Sequence, residues 1–178
     1  MLIADEIQCG VGRTGTWWNI EQKGVDIDML IFGKGIAGGF QLTGIASKSD
    51  IMDYLGTNYL GGTYGGNALS LAAACATLDV IKYEKLLENS NRQGAKLYKR
   101  LKVLKHIKKV RHYGLMIAIE FDSFIEVSRI VTMLRQRGIL VLLCGTQSKY
   151  MRLLPSLNIS DLEIEYFIQH MTDIMECY

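Results

Sequence analysis

Several residue types are scarce in this 178-residue sequence, and each scarcity excludes a class of protein. The four cysteines, Cys9, Cys75, Cys144 and Cys177, lie far apart and form no CxxC pair. They predict reduced thiols in an intracellular protein, and neither a disulfide framework nor a metal site. The 20 basic and 18 acidic side chains nearly balance, which argues against a nucleic-acid partner. No apolar run reaches the roughly 18 residues of a membrane span, so no membrane partner is expected.

Apolar residues and glycine are plentiful. An apolar fraction of 49% with 21% charged residues predicts a folded chain with a sizeable core and excludes disorder as its main state. There is a single proline but there are 18 glycines, and these cluster in residues 9–16, 33–39 and 61–67. Such clusters are typical of loops in which a ligand or another chain segment approaches the backbone closely.

The hydrophobic pattern changes character near residue 83. Before it, apolar runs at 1–8, 28–33 and 42–46 predict strands, and Asn67 predicts the start of a buried helix that runs to about residue 82. This part predicts an α/β layer. After it, an amphipathic stretch at 84–105 is followed by a small α+β domain of strand–helix–strand–strand–helix order. The predicted elements of that domain are a strand at 108–121, a helix at about 124–137, strands at 138–143 and 150–155, and a helix at 161–175.

Three features of the first part could carry chemistry. Lys34 follows an apolar strand between two glycines, where a lysine could form a Schiff base, although a solvated loop lysine fits the same pattern. Asp5 and Glu6 end the first strand, at the edge where α/β folds bind ligands, although paired acids also begin ordinary loops. The loop at 61–67, GGTYGGN, offers backbone N–H groups, the Thr63 hydroxyl and a helix start, which together suggest a phosphate site.

Taken in order, these motifs resemble a known family. The stretches ADEIQCGVGRTG, FGKGIAGGF and GGTYGGNALSLAAA closely resemble class III aminotransferases, and VRHYGLMIAIEF, RGILVLLCG and MRLLPSLNIS are similar to the family's C-terminal domain. The resemblance implies an α/β fold, the fold type I of pyridoxal 5'-phosphate (PLP) enzymes. Residues 1–83 would be the latter portion of the PLP-binding large domain, and residues 84–178 the small C-terminal α+β domain. The family's other, earlier half lies outside this resemblance.

The resemblance also assigns residues. Lys34 would bond covalently to PLP and later move a proton, Asp5 would face the pyridine nitrogen, and Gln8 would hydrogen-bond the phenolic oxygen. Thr63 would hold the phosphate of the neighbouring subunit, which implies a homodimer. Arg152, flanked by apolar residues in a strand, would bind the substrate carboxylate in a bidentate manner, the alternative being a structural ion pair.

The implied activity is transfer of an amino group from an amine or ω-amino acid, with 4-aminobutyrate as the model donor, to a 2-oxo acid. Two alternatives remain open at this point. Aminomutases and decarboxylating relatives share these motifs, and a truncated remnant could persist as a non-catalytic binding or dimerisation module. Because any targeting region of a longer protein would precede this stretch, the expected intracellular location is either cytoplasmic or mitochondrial.

Overall fold

The chain divides into two units in the computed structural model, which describes residues 1–54, 56, 61–123, 125–146 and 149–178. One unit comprises Met1–Leu87 and the other Glu88–Tyr178. The assignment of residues 1–83 and 84–178 to a large and a small domain stays a prediction. None of the helices in the described part of the chain has the length and apolar character needed to cross a bilayer.

The first unit is built on a three-stranded sheet of order β1-β2-β3. Its strands are β1 Ile3–Asp5, β2 Met29–Phe32 and β3 Gly44–Ser47. β1 runs parallel to β2, with Ala4 opposite Leu30, whereas β3 runs antiparallel to β2. Because β1 and β2 are parallel, their carboxyl ends lie at the same edge of the sheet.

One α-helix of the first unit packs against the segment that follows β2. Two short 3-10 helices span Asn19–Lys23 and Lys34–Ala37, and two α-helices follow, α1 Ser49–Met52 and α2 Ala68–Tyr83. The predicted helix with Asn67 as its N-cap is confirmed: the Asn67 side chain accepts hydrogen bonds from the backbone N–H groups of Leu69 and Ser70. Its predicted burial is wrong for this structure, because only Ser70, Ala74 and Ile81 of the helix are buried. α2 packs against the second 3-10 helix, so it supports the backbone directly after β2.

The second unit is a four-stranded antiparallel sheet with three helices. The sheet order is β4-β5-β7-β6. Its elements are α3 Leu86–Leu101, β4 Ile107–Tyr113, β5 Met116–Phe121, α4 Val127–Gln136, β6 Leu142–Cys144, β7 Tyr150–Leu153 and α5 Asp161–Met175. Alternate residues of β5 and β7, such as Ile119 and Met151, are fully buried and form one core with apolar side chains of all three helices. The predicted helix at 161–175 is confirmed.

One sequence prediction in the second unit is wrong. Residues 108–121 form a hairpin, β4 and β5, and not a single strand. The chain reverses at Gly114, whose φ of +48° is a left-handed conformation that glycine adopts without strain. The unit therefore has the order strand–strand–helix–strand–strand–helix. Residue 124, where the next helix was expected to begin, lies outside the described residues, and α4 begins at Val127.

Helix α3 lies directly on the turn of this hairpin. A Cβ atom on Gly94 would overlap the backbone carbonyl of Gly114, so the two backbones meet with no room for a side chain. Beside this contact, the backbone N–H of Leu115 donates a hydrogen bond of 3.3 Å to the buried Ser90 Oγ. Exposed ion pairs join α3 to α5, where Lys96 Nζ lies 2.8 Å from Asp161 Oδ1 and 3.0 Å from Glu165 Oε1.

Candidate active site

Asp5 and Lys34 lie at one edge of the first unit's sheet. Asp5 is the last residue of β1 and is opposite Ile31 in β2, while Lys34 follows the end of β2 after Gly33. Both side chains are exposed. The parallel pairing of β1 and β2 thus brings an amine and a carboxylate to the edge at which α/β proteins bind ligands.

Lys34 has a strained backbone. Its φ of +47° is left-handed, a conformation that costs a residue with a Cβ atom about 1–2 kcal/mol. Lys34 begins the 3-10 helix Lys34–Ala37, which ends at Gly38 with a φ of +58°. Packing of α2 on this helix holds the backbone in place. Strain of this kind is concentrated at functional sites, where the surrounding structure enforces it.

An open cavity of about 650 Å³ lies beside Lys34. Its wall includes Phe40, Thr43 and, from the glycine-rich loop, residues 64–67. Cβ atoms placed on Gly39 or Gly66 would meet nothing within 4 Å, so the glycines leave this space open. The volume lies within the roughly 300–1,000 Å³ that small-molecule sites occupy. Thr63, which directly precedes this part of the wall, is exposed.

The start of α2 contributes less to an anion site than its sequence suggested. Asn67 Oδ1 accepts hydrogen bonds of 3.0 Å from Leu69 N–H and 3.1 Å from Ser70 N–H. These amides would otherwise be the donors that a helix N-terminus offers to a phosphate. A phosphate in this region would therefore rely on the loop backbone and the Thr63 hydroxyl.

Two more polar residues, Gln8 and Cys9, lie in the loop after β1, near the carboxyl edge of the sheet. Gln8 is half-buried there, and Asp5 Oδ1 accepts a hydrogen bond of 3.1 Å from Ile7 N–H. Burial raises the pKa of the Cys9 thiol, and the negative charges of Glu6 and Asp5 raise it further, against a smaller opposing effect of Lys34. Cys9 therefore lies within electrostatic reach of both Asp5 and Lys34, a neighbourhood that sequence reasoning missed.

Glu6 behaves differently from its neighbour Asp5. Only 3% of Glu6 is exposed, and its two carboxylate oxygens accept hydrogen bonds from Asn19 N–H and Ile20 N–H. The sequence presented Asp5 and Glu6 as a pair. In the structure Asp5 faces solvent at the sheet edge and Glu6 is anchored inside the fold.

Arg152 belongs to the second unit. It is the third residue of β7 and lies opposite Ala118 of β5 and Leu142 of β6. The side chain is half-buried, and its Nε is buried with no hydrogen-bond partner among the residues that the structure describes. A buried guanidinium N–H without a partner is costly. Within the same described ranges, no carboxylate forms the structural ion pair that was the alternative interpretation of Arg152.

Comparison with known proteins decides the family. The sequence profile described as aminotransferase class III matches residues 1–175, nearly the whole chain. This chain belongs to the class III aminotransferases. The sequence-based resemblance to that family is therefore confirmed.

Individual class III aminotransferases match along the entire chain but not along their own full length. The chain is 40% identical to a 5-aminovalerate aminotransferase of Pseudomonas aeruginosa over 190 residues and 40% identical to a 4-aminobutyrate aminotransferase of Escherichia coli over 191 residues. Both alignments cover 100% of this chain and 44% of the relative. The chain thus spans less than half the length of the curated relatives it matches.

A solved class III structure confirms the predicted fold class. The ornithine aminotransferase of Toxoplasma gondii superimposes with a TM-score of 0.90 at 34% identity, and the match covers 99% of this chain and 43% of that one. The fold is therefore the α/β fold type I of PLP-dependent transferases.

PLP is the cofactor of class III aminotransferases, and the groups present in the first unit fit it. Lys34 supplies a primary amine that can bond to an aldehyde, and Asp5 supplies a carboxylate suited to a protonated ring nitrogen. The neighbouring cavity is large enough for a small aromatic ring, and glycines keep its wall open. Within the described part of the chain, no cluster of three or more His, Cys, Asp or Glu side chains could hold a metal ion.

Proposed function

We propose that the protein to which this chain belongs is a PLP-dependent transaminase that moves an amino group from an ω-amino acid to a 2-oxo acid. The observation that carries the proposal is the position of Lys34 and Asp5 at the common carboxyl edge of β1 and β2. The relatives are named for 5-aminovalerate, 4-aminobutyrate and ornithine, all of which bear an amino group at the end of the chain remote from the carboxylate. A donor like 4-aminobutyrate is consistent with this class.

In this proposal each residue of the first unit has a separate role. When bound, PLP supplies an electron sink for the carbon that loses a proton. Lys34 Nζ would hold the cofactor covalently and, once free, would act as the base that moves the proton of the reacting carbon. The Asp5 carboxylate holds a proton on the ring nitrogen by charge attraction. Gln8 orients the ring through a hydrogen bond to its phenolic oxygen.

The remaining roles fall to Thr63 and Arg152. Thr63 is exposed in the glycine-rich loop. In a homodimer it would bind the phosphate group of the PLP held by the neighbouring subunit. A second copy is further supported by exposed apolar side chains on α2, where Leu69 is 72% and Leu71 is 46% exposed. Arg152 binds the substrate carboxylate, which would give its Nε, without a partner among the described residues, a charge-assisted acceptor.

The first experiment tests the cofactor site. The purified chain is titrated with PLP and followed by absorbance, then reduced with borohydride, digested and mapped by mass spectrometry. We expect saturable binding with the label on Lys34, and loss of that label in Lys34→Ala. Lys82→Ala, which removes an exposed lysine of α2, is the matched control and should bind PLP as the wild type does. Labelling spread over many surface lysines would contradict the proposal, and a folded chain that does not bind PLP would show that residues 1–178 do not complete a cofactor site by themselves.

The second experiment tests the substrate site. Spectral changes of the PLP-loaded chain are followed as 4-aminobutyrate, 5-aminovalerate or ornithine is added. Arg152→Lys keeps the charge but loses the bidentate geometry, so we expect at least a tenfold higher half-saturating concentration. Arg111→Lys is the control, because Arg111 is exposed in β4 and lies 3.4 Å from Glu120. Equal behaviour of the two variants would contradict the role of Arg152.

A further inference from the structure

The buried Glu6 side chain joins two segments that are distant in sequence. Glu6 Oε2 accepts a hydrogen bond of 3.0 Å from Asn19 N–H, and Oε1 accepts one of 2.8 Å from Ile20 N–H. Asn19 begins the 3-10 helix Asn19–Lys23. The carboxylate therefore binds the first amides of that helix and closes the loop 7–18, which contains Gln8.

The Glu6 backbone ties down the same loop. Glu6 N–H donates to Ile31 O at 2.9 Å and continues the pairing with β2, and Glu6 O accepts from Gly10 N–H at 2.9 Å. The second bond closes a tight turn around Gln8. Glu6, which is adjacent to Asp5, thus joins the two ends of this turn and ties the turn to β2.

The far side of the loop is fixed to the strand that precedes Lys34. Val11 N–H donates to Trp17 O at 2.7 Å, and a Cβ atom on Gly10 would lie 2.6 Å from the Trp18 ring. Trp18 in turn packs on Phe32, the last residue of β2, with ring centroids 5.8 Å apart. The loop is therefore held at its base by Glu6 and at its rim by Trp18.

From this arrangement we infer that Glu6 is a positioning residue for the cofactor site. Its carboxylate holds the loop 7–18 so that Gln8 and Asp5 keep a fixed relation to Lys34. The charge of Glu6, a residue that is only 3% exposed, requires strong partners, and two backbone N–H groups provide charge-assisted hydrogen bonds. The inference rests on the proposed function, because the residues being positioned are those assigned to PLP.

The test uses two variants and two independent measurements. Glu6→Gln keeps an acceptor for one amide and places an NH2 group against the other, whereas Glu6→Ala removes both acceptors. In Glu6→Ala we expect amide hydrogen exchange of residues 7–20 to be at least tenfold faster and the Kd for PLP at least tenfold higher. Glu6→Gln should recover part of both losses, as expected of a positioning hydrogen bond.

The matched control is Glu21→Ala. The Glu21 carboxylate accepts a hydrogen bond of 2.7 Å from Trp18 N–H, so it caps the same 3-10 helix without reaching the strand. This control should loosen the helix locally and change the Kd for PLP by less than twofold. Equal Kd changes in the Glu6→Ala and Glu21→Ala variants would contradict the inference. They would show that the general stability of the loop controls PLP binding, and not the hydrogen bonds of the Glu6 carboxylate.

The remaining outcomes also decide the question. If Glu6→Ala does not fold, Glu6→Gln takes its place. The inference is overturned if that variant has the same amide hydrogen exchange rates and the same Kd for PLP as the wild type. If the wild-type chain binds no PLP, residues 1–178 do not complete a cofactor site by themselves, and hydrogen exchange alone decides the role of Glu6. In that case unchanged hydrogen exchange in Glu6→Gln refutes the claim that the Glu6 carboxylate orders the loop 7–18. Faster exchange shows that Glu6 does order the loop, and only the claim that this ordering serves PLP binding is withdrawn.

Discussion

Substitution of Gly94 by alanine tests the closest backbone contact in the second unit. The new Cβ atom would overlap the Gly114 carbonyl, so α3 must move away from the β4–β5 turn. Overpacking of this kind costs about 1–3 kcal/mol, and separating Leu115 N–H from Ser90 Oγ costs about 1 kcal/mol more. Alanine regains about 1 kcal/mol through its better helix propensity. We therefore expect a net loss of about 1–3 kcal/mol in the free energy of unfolding.

Urea unfolding followed by far-UV circular dichroism measures this loss as a lower transition midpoint with an unchanged slope. Hydrogen exchange of the β5 amides, which report on the second unit, should become faster in parallel. Gly35→Ala is the matched control, because a Cβ atom there meets nothing within 4 Å, and its effect should stay within about 0.5 kcal/mol. A Gly94→Ala variant as stable as the control would refute the close approach of α3 and the hairpin.

Three other predictions follow from single residues. Lys34→Gly should be about 1 kcal/mol more stable than Lys34→Ala in thermal unfolding, because only glycine is unstrained at a φ of +47°; equal melting temperatures would contradict the left-handed backbone. The hydrogen bond from Lys96 lowers the pKa of Asp161 in the folded state, so its stabilisation is present above the ordinary aspartate pKa of about 4 and is lost as pH falls through the lowered value. Lys96→Gln should accordingly lower stability at pH 7 but not at pH 2, as measured by urea midpoints at both. Burial and nearby carboxylates raise the pKa of Cys9, so iodoacetamide at pH 8 should alkylate the exposed Cys75 first, and peptide mapping showing Cys9 modified first would count against this placement.

Local patterns were sufficient to predict the elements that carry the site. The apolar run at 1–8 predicted β1, which the structure confines to Ile3–Asp5, and the run at 28–33 predicted β2. The Asn67 cap followed by a run of alanine and leucine gave α2. The parallel pairing of β1 and β2, which brings Asp5 and Lys34 to the same edge, is seen only in the structure.

The features that sequence reasoning missed depend on contacts between distant residues. The sequence pattern at 108–121 did not mark Gly114 as a turn, and the tertiary structure shows Gly94 of α3 in close contact with it. Burial of Glu6 depends on the amide of Asn19, which the sequence does not mark as a donor. That Arg152 Nε has no partner among the residues the structure describes is likewise a property of the surrounding sheet and not of the strand sequence.

The placement of Asp5 on a short outer strand makes the site and the local stability of the fold depend on one another. β1 has three residues and is paired to β2 alone in the described sheet, so few interactions oppose its local opening. Any molecule that contacts both Asp5 and Lys34 would stabilise the pairing of β1 with β2. Occupancy of the site and retention of β1 are therefore linked equilibria, and a ligand that binds there also protects this strand from exchange and proteolysis.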